Sequence, residues 1–156
     1  MFGSAFALVL AALVTTAPLD WPVQGAILRA FDNGDSPYSA GHRGIDISAP
    51  VGTPVRSAGP GTVAFAGRVA GSLFVSIDHP GGLRSTYSWL SGVEVRAGDQ
   101  VETGQVVAAS GVGHTGATVT HLHFGLRLDG NYVDPMDYLR APDLSAMIRL
   151  APIRGP

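Results

Sequence analysis

The sequence contains no cysteine and no lysine among its 156 residues. Without cysteine, disulfide bonds and thiolate metal ligands are excluded, so any bound metal must be held by nitrogen and oxygen atoms. All ten basic residues are arginine and the net charge is −2, so the chain lacks the basic field that binds nucleic acid or anionic lipid through bulk electrostatics. With 46% hydrophobic residues and 21 glycines, the composition predicts one domain with a real core and many tight turns between short strands.

The N-terminal segment has the pattern of an export signal. Residues 2–14 are almost wholly apolar, and small residues follow at positions 15–17. No basic residue precedes this run, and it is shorter than the about 20 residues of a membrane-spanning helix. The apolar run and the small residues after it lead us to predict an exported protein. An uncleaved anchor and a truncated or misplaced start are the alternatives. The predicted division is a signal or anchor segment with a linker at 1–24, a β domain at 25–140 and a tail at 141–156.

The run HLHFGLRL at 121–128 alternates between two kinds of side chain. Leucine and phenylalanine occupy the even positions, whereas His121, His123, Gly125 and Arg127 occupy the odd ones. Successive side chains of a strand point to opposite faces, so this pattern predicts an amphipathic strand that presents two imidazoles side by side. Two imidazoles on one face indicate that something binds between them.

A second motif lies far upstream, in the run HRGID at 42–46. In an extended segment, residues four apart share a face, so His42 and Asp46 can converge on one point. Two imidazoles and a carboxylate form a three-ligand set that suits Zn²⁺ and leaves a fourth position open for water. The sequence therefore predicts a hydrolytic zinc site, although each short motif alone also arises by chance.

The remaining pattern predicts an all-β fold. Alternating apolar runs and Gly/Pro turns indicate short strands, including a hairpin in which 73–77 and 83–90 flank a turn at 78–82. Asp134 beside Pro135 predicts a helix cap, and 143–150 predicts a second short helix. The expected architecture is a mainly antiparallel, curved or barrel-like sheet with a groove and short C-terminal helices.

Four ordered blocks resemble one known family. They read GHRGIDISAPVGTPVRSAGPGTVAFAG, VSIDHPGGLRSTYSWL, VRAGDQVETGQVVAASG and HTGATVTHLHFGLRLDGNYVDPMDYL. Together they make the chain similar to the lysostaphin/LytM-type zinc endopeptidases, which cleave peptide cross-links of bacterial cell walls. The resemblance implies that His42, Asp46 and His123 bind zinc. It also implies that His121 lies beside the metal as a catalytic residue, which either takes the proton of the water or holds the developing oxyanion, with a role that only orients a ligand as the alternative.

One position departs from the family pattern. Members commonly carry a histidine two residues after the tyrosine of the return strand, where this chain has Tyr87-Ser88-Trp89. Tryptophan can donate a hydrogen bond but cannot act as a base. We expect Tyr87 and Trp89 to share the strand face that looks toward the groove and to contact substrate.

Two further histidines are less informative. His79 lies in the predicted hairpin turn and is expected to be solvated, whereas His114 is either a surface-loop residue or a groove residue that contacts substrate and partly replaces the missing histidine.

The favoured function is a zinc endopeptidase that acts on peptidoglycan peptides, impaired by Trp89. The alternative is a non-catalytic wall-binding or regulatory domain. A biotinyl-carrier domain, which some glycine-valine corners resemble, is excluded because no lysine is present to carry the group.

Overall fold

The computed structural model describes residues 17–34 and 40–141, which form ten strands and two single-turn 3-10 helices. The 3-10 helices are Pro80–Gly82 and Pro135–Asp137. The strands, in chain order, are β1 (Ile27–Arg29), β2 (Ile45–Ser48), β3 (Pro54–Arg56), β4 (Gly61–Val69), β5 (Ser72–Asp78), β6 (Leu83–Val93), β7 (Gln100–Val101), β8 (Val106–Ser110), β9 (His121–Leu128) and β10 (Asn131–Val133).

The strands form one open sheet in which every pairing between them is antiparallel. Its main path is β1-β2-β9-β6-β5-β4-β7, while β10 pairs with β9, and β8 pairs with both β3 and β6. The predicted hairpin is present as β5 and β6. The expected all-β, mainly antiparallel fold is therefore confirmed, with an open rather than closed sheet.

The alternation in β9 divides core from groove as the sequence predicted. Leu122, Phe124 and Leu126 are at most 1% exposed, and Ile45 and Ile47 of the neighbouring strand are fully buried with them. Burying such side chains stabilises a fold by about 1.5–3 kcal/mol each. Because this face is committed to the core, the odd positions of β9 must face the other way.

The segment before β1 belongs to the packed structure. Leu19 forms an isolated parallel bridge with Leu139, and both Leu19 and Val23 are buried in the core. The indole N–H of Trp21 donates to the carbonyl oxygen of Arg140 at 2.8 Å. Residues that the sequence assigned to a linker thus pack against the end of the domain.

The apolar run at 2–14 and the helix predicted at 143–150 lie outside the described residues. No helix within 17–34 and 40–141 is long and apolar enough to cross a membrane.

Two local expectations have different outcomes. The carboxylate of Asp134 accepts a hydrogen bond from the N–H of Met136 at 2.9 Å, which confirms the predicted cap, here of a 3-10 turn. His79, in contrast, is not solvated: it is 8% exposed and its ring nitrogens contact the Pro60 carbonyl at 2.9 Å and the Ser85 hydroxyl at 2.7 Å. Burial lowers the pKa of His79, because the charged form would lose its hydration.

Candidate functional site

Strand pairing joins the two sequence motifs. Asp46 of β2 is directly opposite His123 of β9, and Ser48 is opposite His121 in the same ladder. Directly opposed residues of antiparallel strands share a face, with Cβ atoms about 4.5–5.5 Å apart. Two segments separated by 77 residues in sequence therefore place a carboxylate and two imidazoles on one surface.

His42 is fixed by main-chain and side-chain contacts before β2 begins. Its N–H donates to the Asp32 carbonyl at 2.6 Å, and the Asp32 N–H donates to the His42 carbonyl at 2.8 Å. The Nδ1 atom of His42 lies 2.8 Å from the Ala30 carbonyl oxygen, so Nδ1 carries the proton and Nε2 of the neutral ring presents a lone pair. A hydrogen bond of this kind on the distal ring nitrogen orients metal-binding histidines.

Three potential ligand atoms converge at this point. His42 Nε2 is 3.0 Å from Asp46 Oδ1 and 3.0 Å from His123 Nδ1, and His123 Nδ1 is 2.8 Å from Asp46 Oδ1. Tetrahedral zinc with bonds of about 2.0–2.1 Å separates its ligand atoms by about 3.3 Å. His42 Nε2 has no proton in the neutral ring, and Asp46 Oδ1 is an acceptor, so protons alone cannot satisfy all three close contacts among His42 Nε2, Asp46 Oδ1 and His123 Nδ1. Nitrogen and oxygen donors in this arrangement fit a zinc ion. His42, Asp46 and His123 form one of two groups that could hold a metal ion, and the other is Asp46 with His114 and His121.

Two more imidazoles complete the surroundings of Asp46. His121 Nε2 is 3.8 Å from Asp46 Oδ1, and His114 Nε2 is 3.8 Å from Asp46 Oδ2. The rings of His114 and His121 meet edge to face with centroids 4.8 Å apart. His121 Nδ1 contacts the Val119 carbonyl at 2.9 Å, and the His114 N–H donates to His121 Nε2 at 3.5 Å, so the lone pair of the neutral ring is on Nε2. His121 is buried, whereas the His114 side chain is 38% exposed.

The charge of Asp46 follows from these neighbours. Burial opposes ionisation, and alone it would raise the pKa of this carboxyl. The hydrogen bond from His123 and the nearby imidazoles of His42, His123 and His121 outweigh burial, so the pKa of Asp46 is lowered below its ordinary value. Asp46 is therefore a carboxylate at neutral pH, which is the form that binds a metal.

Tyr87 and Trp89 lie on different sides of the sheet. Tyr87 is fully buried against Phe124, and its hydroxyl accepts a hydrogen bond from the Ala58 N–H at 2.8 Å. Trp89 has a φ of +64° at a register shift where Leu73 pairs with Leu90 and Phe74 with Ser88, so it is the extra residue of a β-bulge.

The bulge corrects the expectation of a shared face. It breaks the two-residue alternation, so the Trp89 ring contacts Phe74, with centroids 5.7 Å apart. Phe74 lines a groove together with Ser88 and His123. Trp89 thus adjoins the groove through the bulge, whereas Tyr87 has no exposed surface with which to contact a substrate.

Comparison with known proteins gives the family. The profile of Peptidase family M23 matches residues 40–135, which include all four histidines around Asp46. The chain belongs to peptidase family M23. The resemblance seen in the sequence is therefore confirmed, and it places the chain in a metallopeptidase class.

Individual relatives and solved structures match much of the chain. The chain is 35% identical to the lipoprotein YgeR of Escherichia coli over 76% of this chain and 46% of the relative. It is 39% identical to the DD-carboxypeptidase/endopeptidase Mpg of Neisseria meningitidis over 67% of this chain and 24% of the relative. The catalytic domain of the antimicrobial peptidase lysostaphin from Staphylococcus simulans superposes with a TM-score of 0.65 at 26% identity, covering 75% of this chain and 93% of that domain. The chain spans about half or less of the length of these curated relatives.

Two glycines shape this M23 site, and the sequence patterns did not single them out. A Cβ on Gly44 would lie 2.7 Å from His123 Nε2 and 2.5 Å from the Phe124 carbonyl oxygen. A Cβ on Gly113, whose φ is +93°, would lie 2.3 Å from the His121 ring. The position of Gly44 between His42 and Asp46 was the available signal, since a glycine there allows close approach of the backbone to a ligand.

Gly44→Ala is expected to weaken zinc binding. The added methyl group must displace either the His123 ring or the β9 backbone, and a ligand that is displaced binds the metal less well. Competition with a chromogenic zinc chelator should show a loss of about 10–100-fold in affinity. Gly92→Ala is the matched control, because a Cβ there meets nothing within 4 Å. Equal zinc affinity for the two variants would show that the close contact at Gly44 is unimportant.

Proposed function

We propose that the chain is a zinc-dependent endopeptidase that acts on peptidoglycan peptide cross-links, with activity reduced by Trp89. The observation that carries this proposal is the convergence of His42 Nε2, His123 Nδ1 and Asp46 Oδ1 within 3.0 Å of one another, with His121 Nε2 3.8 Å from the same carboxylate oxygen. Membership of a peptidase family and the endopeptidase name of the Mpg relative support the same reaction class.

Each residue has a distinct part in the proposed reaction. When bound, zinc supplies Lewis-acid activation of water and of the scissile carbonyl. His121 Nε2 accepts the proton released by the attacking water, because Nδ1 is already committed to the Val119 carbonyl. Burial of His121 keeps its ring in one orientation, which preserves the geometry that proton transfer requires.

His114 is the second proton-transfer group in this proposal. Its side chain is more exposed than the other imidazoles of the site and lies within 3.8 Å of Asp46 Oδ2. An exposed imidazole beside the cluster can reach a bound peptide and donate a proton to the departing amine. This assigns His114 a substrate-contacting role in the place of the histidine that Trp89 replaces.

A non-catalytic recognition domain is the second candidate, and Trp89 favours it. An indole at the edge of the groove can stack on a ligand or donate one hydrogen bond, but it cannot transfer a proton. Loss of one such group typically costs about 10²–10⁴ in rate. For either candidate we propose export, because the substrate lies outside the cytoplasm and residues 2–14 have the pattern of a signal segment.

Digestion of isolated peptidoglycan distinguishes the two candidates. The zinc-loaded chain is expected to release soluble fragments with new amino termini, detected by mass spectrometry. A chelator should stop this release, and added zinc should restore it. Sedimentation of the protein with peptidoglycan, without fragment release in any condition, would favour the recognition domain.

Trp89→His is expected to raise the rate of this digestion, toward the about 10²–10⁴-fold that a proton-transfer group contributes. The bulge suits the change, since histidine tolerates a positive φ better than a bulky residue such as tryptophan. Trp21→His is the matched control, because this second tryptophan contacts Arg140 rather than the groove. A folded, zinc-loaded Trp89→His chain with no gain would instead indicate that Trp89 serves recognition.

A further inference from the structure

The groove beside His123 is lined by three arginines. It has a volume of about 330 Å³, and its lining includes Arg43, Arg84 and Arg127 but no aspartate or glutamate. We call this surface the arginine groove. The whole chain has ten arginines and a net charge of −2, so three of the ten line one depression next to the metal-ligand candidate. Such a surface attracts an anionic group.

Arg84 and Arg127 differ in whether a carboxylate is already paired with the guanidinium group. Arg84 forms a bidentate ion pair with Asp78, with Nε to Oδ1 at 2.5 Å and Nη2 to Oδ2 at 2.9 Å, so its charge is largely neutralised. Arg127 donates to the Tyr132 hydroxyl, and its Cζ lies 4.2 Å from the centre of the Tyr132 ring. Among residues 17–34 and 40–141, no carboxylate forms an ion pair with Arg127. Its charge therefore remains available to a ligand.

Tyr132 holds the guanidinium groups in place. The Cζ of Arg43 lies 5.6 Å from the same ring that Arg127 covers, so two guanidinium groups contact one aromatic side chain. Cation–π contacts restrict the rotamers of both arginines before any ligand arrives. A preorganised guanidinium fork loses less entropy on binding and favours a planar carboxylate, to which it can donate two parallel hydrogen bonds.

The strand geometry connects this charge to the metal-ligand candidate. His123, Gly125 and Arg127 are alternate residues of β9 and share one face. Gly125 contributes no side chain between the other two, and all three residues line the arginine groove, whose part along β9 we call the trough. Four strand residues span about 13 Å, which is the length of about four residues of an extended peptide. Ser88 and Thr86 of the neighbouring strand line the same trough with hydroxyl groups that can bond a peptide backbone.

We propose that the arginine groove is a subsite for a carboxylate of the peptide substrate, bound chiefly by Arg127 with Arg43 beside it. Arg127 lies four strand residues from His123, so a carboxylate bound there lies within about four residues of the bond to be cleaved. This inference rests on the proposed peptidase function, because the same peptide would occupy both the trough and the metal centre. The group recognised is either an acidic side chain or a free C-terminus, and the guanidinium binds both in the same way.

Binding of synthetic peptides tests this subsite independently of hydrolysis. Four fluorescein-labelled versions of the peptide Ala-Glu-Ala-Ala are compared, with glutamate or glutamine and with a free or amidated C-terminus. Fluorescence anisotropy with the full chain is expected to show about tenfold tighter binding when the recognised carboxylate is present, the effect of one charge-assisted contact. The version that loses affinity identifies which of the two carboxylates is bound, and mass spectrometry verifies that the peptides remain intact.

Variants of the groove provide the control. Arg127→Gln should reduce the carboxylate preference to about twofold or less, and Arg127→Lys should restore part of it because the charge remains without the planar fork. Arg96→Gln, at an exposed arginine outside the groove, should leave the preference unchanged. Circular dichroism should show that Arg127→Gln folds like the wild type. Tyr132→Phe keeps the ring beside Arg127, so it should retain the carboxylate preference if β9 and β10 fold normally.

The outcomes separate this inference from the proposed function. Equal affinity for all four peptides, or the same loss in Arg96→Gln as in Arg127→Gln, would overturn the subsite even if the chain digests peptidoglycan. A carboxylate preference that depends on Arg127 in a chain that hydrolyses nothing would support the subsite while removing the peptidase proposal.

Discussion

Alanine at His42 or His123 is expected to remove the bound zinc. The wild-type chain should retain about one zinc ion per molecule after dialysis, because the two possible donor sets share Asp46 and we assign the ion to the set with His42 and His123. Each substitution leaves two ligands, and His42→Ala also removes the hydrogen bond by which the Ala30 carbonyl orients the ring. Zinc content measured by inductively coupled plasma mass spectrometry should fall below about a tenth of the wild-type value, and peptidoglycan digestion should cease.

The control is a histidine outside the cluster. His79→Gln changes a buried imidazole that contacts Pro60 and Ser85 rather than Asp46, so zinc should stay bound if the variant folds. Full zinc retention in both His42→Ala and His123→Ala would contradict the ligand assignment. If zinc is lost in His114→Ala and His121→Ala instead, the zinc site must be assigned to the second possible set, formed by those two histidines with Asp46.

His121→Ala should separate catalysis from metal binding. Its Nε2 is 3.8 Å from Asp46 Oδ1, farther than the 2.8 and 3.0 Å of the ligand candidates, so zinc should remain near one per chain. Hydrolysis should fall by about 10²-fold or more, because the base that receives the proton is removed. Zinc content and rate are measured on the same preparation, with fragment release quantified by mass spectrometry.

His114→Ala is the informative companion to this variant. Its side chain lies in the same cluster but is 38% exposed, so an effect on the apparent affinity for substrate is expected together with a smaller loss in rate. If His121→Ala loses zinc to the same degree as His123→Ala, then His121 is a ligand and the two roles must be exchanged.

The sequence was a good guide where a strand has one buried face. The alternation of 121–128 correctly predicted β9 and the division between its core and groove sides, because a shift of one residue would expose Leu122, Phe124 and Leu126. The fold class followed from the same periodicity and from the turns. The sequence pattern could not predict that Asp46 and His123 are directly opposite each other, since pairing between distant strands depends on the path of the whole chain.

The errors occurred where backbone conformation departs from regular strand. Nothing in the sequence around Trp89 indicates a positive φ, which tryptophan rarely adopts, so the bulge and the reversed orientation of the side chain could not be predicted. The burial of His79 depends on the chain passing beside it at Pro60, a contact between residues 19 apart. The approach of His114 to Asp46 likewise depends on the loop conformation that Gly113 permits.

The separation of the ligand candidates along the chain has a consequence for how the domain unfolds. Asp46 and His123 are 77 residues apart, and this chain has no cysteine with which to tie such distant segments covalently. A zinc ion held between them would act as a removable cross-link, closing a long loop and reducing the entropy of the unfolded state much as a disulfide does. Supply of the metal would then govern the lifetime of the folded domain and its resistance to proteolysis as well as its chemistry.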